Sequence, residues 1–252
     1  MEDSQEVSIK LDTLEQKIDT NSMTGMLSFA EQVLKSGLKP TYIKTPQDVV
    51  SAIIMGRELG FSPFVSMNNI YPIEGKPTVG VHLFTALALK NKTTYEILDD
   101  FKPIHSYTDS MGNSYETSYL KDNKDTYFVA AFAPDKIPKG FKPPEGKVVV
   151  WKSVTPIDYI TRIRFDRVMT DGKIWTITHS YKYSEAVQAG LANKDNWKKQ
   201  PKTMTRTRCL VAGIKLIGGD YTQGLVETTE MADSVGKVIN IDEEGKVIND
   251  PN

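Results

Sequence analysis

Residues 160–181 read ITRIRFDRVMTDGKIWTITHSY, and the reading of this stretch decides the fold. Asp171-Gly172 is a strong hairpin signal, because the tight turn that matches strand twist needs residues tolerant of positive φ. Aromatic and β-branched residues on either side predict strands over 160–169 and 173–181. In the first strand Ile163 and Phe165 alternate with Arg162 and Arg164. Successive side chains of a strand point to opposite faces, so the apolar pair enters the core and the arginines share the other face.

This hairpin lies within residues 151–217, where 13 Lys/Arg stand against 5 Asp/Glu, a local charge of +8. The whole chain of 252 residues sums to −1, so the remainder carries −9. Five of the six arginines fall inside: Arg162, Arg164, Arg167, Arg206 and Arg208. Such segregation predicts an anion-binding face. Lys173, Lys182 and Lys194 read as ordinary solvated lysines. Pro201 opens a helix to about residue 217, with Met204, Leu210, Val211 and Ile214 on one arc. Arg208 and Lys215 flank that arc on one side, and Lys202 and Arg206, four apart, flank it on the other. The cations of strand and helix are expected to line one continuous trough. Ser184 is expected to cap a short helix over 185–189, and 193–200 to form a basic loop presenting Trp197.

Towards the N-terminus, Ser22 caps a predicted helix ended by Gly37. Thr45-Pro46-Gln47-Asp48 starts the next, with Gly60 as its stop, and Ser62-Pro63 repeats the device. Residues 70–73 and 76–79 read as a hairpin around Gly75, held at an edge by Pro72 and Pro77. Val81, Phe84, Leu87 and Ala88 mark a further amphipathic helix. Strands are expected at 95–98, 114–120, 127–132 and 148–152, with the proline-rich 133–146 as an exposed loop. The class is therefore α+β, with antiparallel sheets and hairpins packed with several helices. Residues 1–22 read as an acidic arm and 23–228 as one domain. Residues 229–252 read as an acidic tail, mobile after about Thr228.

No Gly-Lys pair is followed by Ser or Thr, so no phosphate-cradling loop for a nucleotide is present; nor is G-x-G-x-x-G or G-x-S-x-G. His82, His105 and His179 fall on separate elements. Of Asp158, Asp166 and Asp171, the last is a turn residue, which leaves no converging set for the Mg²⁺ of a nuclease. Cys209 is the only cysteine, so no intrachain disulfide can form, and it reads as a small core residue. No catalytic or metal-ligating residue is assigned, and the chain does not read as an enzyme. No apolar run approaches the roughly 18 residues of a spanning helix, and the acidic start (Glu2, Asp3, Glu6) is unlike a signal peptide, so a cytosolic place is expected.

The positive features fit single-stranded nucleic acid. Lys152, Arg162, Arg164, Arg167, Lys198, Lys199, Lys202, Arg206, Arg208 and Lys215 are the candidate phosphate contacts. Tyr159, Trp175, Tyr181, Tyr183 and Trp197 are interleaved with them and offer faces for bases. Trp175 is expected in the core of the hairpin, and Trp197 at the surface.

Two passages carry a resemblance. One is Arg57-Glu58-Leu59-Gly60-Phe61-Ser62-Pro63 followed by residues 69–77. The other joins Tyr183-Ser184-Glu185-Ala186 and Ala189-Gly190-Leu191 to Trp197, Pro201, Met204, Arg206 and Arg208, a W-x-x-x-P-x-x-M…R pattern. Together they resemble the phage RecT/Redβ-type recombinases over about residues 45–90 and 150–228; residues 95–147 resemble nothing we can name. The resemblance implies a RecT/Redβ-like core and an ATP-independent protein that binds single-stranded DNA and anneals complementary strands in homologous recombination. It implies a homo-oligomer, ring or filament, in the host bacterial cytoplasm, with the annealed duplex as product. A phage exonuclease and a single-strand-binding protein are its implied partners. No cofactor is implied beyond Mg²⁺ as a counterion of DNA. Two other expectations stand beside it: a DNA-processing nuclease, and a self-assembling structural protein whose basic stretch docks on another subunit's acidic tail.

Overall fold

A computed structural model describes residues 21–36, 39–73, 76–235, 240–241 and 247–248. The expected acidic arm, apart from its last two residues, lies outside them, as do Gly37 and Gly75. In chain order the elements are α1 (Met23–Ser36), α2 (Pro46–Glu58), α3 (Pro63–Asn69), β1 (Ile70–Ile73), β2 (Lys76–Val79), α4 (Val81–Lys90), β3 (Thr93–Ile104), β4 (Ser106–Asp109), β5 (Ser114–Glu116), α5 (Thr117–Asp122) and β6 (Tyr127–Ala130). There follow β7 (Val148–Lys152), β8 (Asp158–Val168), β9 (Ile174–Lys182), α6 (Tyr183–Gln188), α7 (Asp195–Lys199), α8 (Pro201–Ile217), α9 (Gly219–Thr222), α10 (Thr228–Val235), β10 (Asn240–Ile241) and β11 (Val247–Ile248). The class is α+β, as expected.

The chain forms two compact units. The first takes the described residues within 1–94, 166–175 and 214–252, and the second takes 95–165 and 176–213. The chain crosses from one to the other within β3, β8, β9 and α8.

In the first unit, α2 starts as the sequence dictates. The Thr45 hydroxyl accepts from the Asp48 N–H at 3.2 Å, and the Asp48 carboxylate accepts from the Thr45 N–H at 2.9 Å, a reciprocal box at the positive end of the helix. Val49, Val50 and Ile53 are thereby presented to Met26, Ala30 and Val33 of α1 and to Met67 of α3. The turn after α2 needs a left-handed residue, supplied by Gly60 at φ +73. The Ser62 hydroxyl does not cap α3; the Ser62 carbonyl instead accepts from the Ser66 hydroxyl at 2.7 Å. β1 and β2 pair antiparallel with Pro72 opposite Pro77.

The chain on either side of Thr228 is seated on the β1–β2 hairpin. The Val79 N–H donates to the Val226 carbonyl at 2.9 Å, and Met231 of α10 is buried against Tyr71 and Ile73. An apolar residue one turn into an acidic segment is enough to seat it where a hairpin offers a greasy face. Beyond α10, β10 and β11 pair antiparallel.

The second unit holds a four-stranded sheet in the order β5-β4-β7-β6 and most of a three-stranded sheet in the order β3-β8-β9. Since β6 and β7 run parallel, the proline-rich segment between them is a crossover and not a hairpin tip. Phe141 seats it, with ring centroids 4.7 Å from Phe132 and 6.1 Å from Phe128. The strand expected over 114–120 stops at Glu116, and α5 takes its place.

β8 keeps its alternation: Thr161, Ile163 and Phe165 are fully buried, while Arg162 and Arg164 are exposed. Helix α8 covers the buried face. Gly213 makes that approach possible, since a Cβ there would lie 2.1 Å from the Phe165 ring. Cys209, also buried, lies 3.5 Å from the carbonyls of Thr161 and His179, and burial pushes its thiol up to about 12. Among the described residues no single helix is long and apolar enough to cross a membrane.

Candidate nucleic-acid interface

The cations expected to line a trough are met by carboxylates that the sequence keeps far away. β3 carries Glu96, Asp99 and Asp100. Asp99, with 6% of its side chain exposed, is gripped by Arg162 and, at 2.8 Å, by Lys102. Asp100 accepts from Arg206 Nε at 3.0 Å and lies 2.9 Å from Lys202 Nζ. Arg164 reaches Glu96 at 3.5 Å. Hydrogen bonds from Lys102 and Arg162 hold the Asp99 carboxyl below the usual carboxylate range, against the effect of burial. Burial pushes the Asp100 carboxyl up, but the hydrogen bonds from Arg206 and Lys202 outweigh it and the net shift is downward.

These cations do not form one trough. Arg162 and Arg164 lie on the face of β8 opposite Ile163 and Phe165, whereas Lys202 and Arg206 ride on the helix that covers those apolar residues. Strand parity and helix cover send the two pairs to different sides of the three-stranded sheet. Consecutive carboxylates of the edge strand β3, Asp99 and Asp100, hold one pair member and the helix pair respectively.

Others of the expected set are engaged elsewhere. Arg167 belongs to the first unit, where its guanidinium meets both oxygens of Asp220 at 2.7 Å and the Ile217 carbonyl at 2.9 Å. Its ring neighbour is Tyr221, with the guanidinium 4.9 Å from the ring centroid. Lys215, also of the first unit, is paired with Glu230. Lys199 pairs with Asp195 at 2.7 Å, one turn back on α7. Arg208 is partly buried on α8. Lys152 and Lys198 stay exposed.

The two tryptophans exchange their expected roles. Trp197 is fully buried and packs with Ala186 and Met204, so its indole has no face to offer a base. The segment 193–200 is no plain loop: α7 turns Lys198 and Lys199 outward and the indole inward. Trp175 is 47% exposed. The W-x-x-x-P-x-x-M spacing is thus a packing pattern, bringing Trp197 and Met204 into one apolar cluster. Ser184 likewise does not cap α6; its hydroxyl donates to Asp158 at 2.6 Å, and Glu185 accepts the Lys182 N–H at 2.7 Å.

Sequence reasoning passed over three cations. Lys136, Lys139 and Lys142 are exposed on the crossover segment, and no ion pair among the described residues involves them. Their signal was available as a lysine every third residue. Among the described residues no group of three histidines, cysteines or carboxylates is arranged to hold a metal ion.

What the arrangement offers chemically is a set of cations standing over carboxylates. The carboxylates lie deeper: Asp100 is 28% exposed under Lys202 at 54% and Arg206 at 38%. Arg162 at 49% and Lys102 at 63% likewise stand over Asp99. No family model, no curated protein and no solved structure matches this chain.

Proposed function

We propose that the protein binds single-stranded DNA by its phosphate backbone and anneals complementary strands without ATP, as a homo-oligomer. The observation that carries this reading is the layering of charge along β3, with carboxylates beneath and half-exposed ammonium and guanidinium groups above. A carboxylate below a guanidinium occupies one edge of the fork and leaves other N–H donors directed outward. The ion pair also removes side-chain freedom that phosphate binding otherwise costs. Contacts confined to the backbone leave base edges free, which pairing with a second strand requires.

Resemblance to the RecT/Redβ-type recombinases supports the same reading, with a RecT/Redβ-like core as the finer description of the fold. In it the protein works in the bacterial cytoplasm beside an exonuclease and a single-strand-binding protein. Base pairing supplies the driving force, in keeping with a sequence that has no phosphate-cradling nucleotide motif.

The test is a titration of labelled oligothymidylate at several salt concentrations. Replacing Lys202 and Arg206 together with glutamine is expected to lower the slope of log K against log salt by about 1.4, at about 0.7 per single-strand phosphate contact. Asp100→Asn removes the competing carboxylate and is expected to tighten binding. A slope indifferent to all three substitutions takes these residues out of the interface.

A second reading is favoured by the ion pairs themselves. Cations that already have carboxylate partners also suit a self-assembling structural protein, which would form its oligomer and ignore the oligonucleotide at every salt concentration.

A further inference from the structure

Phe101 is the one residue of β3 with a positive φ, at +52. A non-glycine side chain in the left-handed region costs about 1 kcal/mol or more, and such strain persists only where surroundings impose it. Here the backbone N–H of Phe101 donates to the Thr161 hydroxyl at 3.2 Å. The consequence is a change of side: the Phe101 ring lies flat on Tyr159, with centroids 4.3 Å apart and planes 3° from parallel. Tyr183 meets Phe101 edge-on, with centroids 6.0 Å apart. All three residues are partly exposed.

Tyr159 has the same parity on β8 as Thr161, Ile163 and Phe165, so this stack stands on the side of the sheet that α8 covers. Asp100, the residue before Phe101, holds Lys202 and Arg206 on that same side. A pair of parallel rings thus stands one residue from two half-exposed cations.

Resting on the reading of the protein as a single-strand binder, we infer that the Phe101–Tyr159 stack is a platform for a nucleobase, with Lys202 and Arg206 on the adjoining phosphates. Ring faces bind any base, because every base has a π-face, so the platform is indifferent to sequence. Stacking also uses only the face of the base and leaves its pairing edge open to a complementary strand. The site replaces the one expected at Trp197, whose indole is consumed by the core.

The experiment compares labelled oligothymidylate with an abasic oligonucleotide of the same length on the wild type, Phe101→Leu and Tyr159→Leu. Leucine keeps apolar volume and loses the π-face. The wild type is expected to prefer the base-bearing strand by about five- to a hundredfold, and each variant to lose most of that preference. The salt slope stays unchanged, since no cation is removed, and circular dichroism of each variant matches the wild type. Phe101→Tyr, which keeps the ring, restores the preference if either leucine variant is poorly folded. A wild type that binds both strands equally overturns the platform and leaves the phosphate contacts standing. A wild type that binds neither overturns both this inference and the proposed function.

Discussion

Glu227→Gln is the substitution whose effect follows most directly from the structure. Glu227 is fully buried at the start of α10. One carboxylate oxygen, Oε2, accepts the Thr229 N–H at 2.8 Å and the Thr229 hydroxyl, while Oε1 is buried without a partner among the described residues. Burial raises its pKa from 4.5 to about 7, and the repulsion of Glu230 adds to the rise, against the hydrogen bonds from Thr229. The folded state therefore binds this proton more tightly than the unfolded one. Stability is complete below about pH 4.5, falls by about 1.4 kcal/mol per pH unit as the unfolded chain alone releases the proton, and levels off above about pH 7. The loss is about 3 kcal/mol. Glutamine keeps the acceptor and cannot ionise, so the variant loses this dependence. Denaturant unfolding of both proteins between mildly acidic and mildly basic pH is the assay, with the difference in unfolding free energy plotted against pH. The glutamine protein should gain about 3 kcal/mol on the wild type across the range. A difference that stays constant with pH refutes the reasoning, because it means that Glu227 is solvated or paired when charged.

The remaining predictions concern packing, reactivity and binding. Gly213→Ala puts a Cβ 2.1 Å from the buried Phe165 ring and should destabilise by about 3 kcal/mol, read as a drop in the thermal midpoint. Cys209, buried with its thiol pushed up to about 12, should resist a thiol reagent at neutral pH until denaturant is added; prompt labelling of the native protein contradicts the packing of α8. Lys202 and Arg206 substitutions should lower the salt slope of oligonucleotide binding, and Phe101→Leu should leave that slope alone while removing the preference for strands with bases.

Much of the fold was legible because its causes are local. The Thr45–Asp48 box, the Asp171-Gly172 turn and Pro201 at the head of α8 each act within a few residues, and a sequence displays them directly. The parity of β8 was equally plain, since Ile163 and Phe165 are adjacent by twos. α7 was missed because five residues rich in lysine resemble a loop until the indole among them is seen to need cover. α10 was missed because acidic composition hides a single methionine with a hairpin to sit on.

The candidate site was legible in its cations and illegible in their partners. Arg162 and Arg206 find Asp99 and Asp100 across 63 and 106 residues of chain. No spacing rule reaches that far, because pairing at such distance depends on which strands become neighbours. By itself the sequence determined that positive charge would be concentrated, where most strands and helices begin, and which face of β8 is apolar. Only the tertiary structure decided that the charge is layered over carboxylates, divided between two sides of a sheet, and accompanied by a phenylalanine turned onto a tyrosine. Those are properties of neighbours in space, created when chain segments remote in sequence pack together.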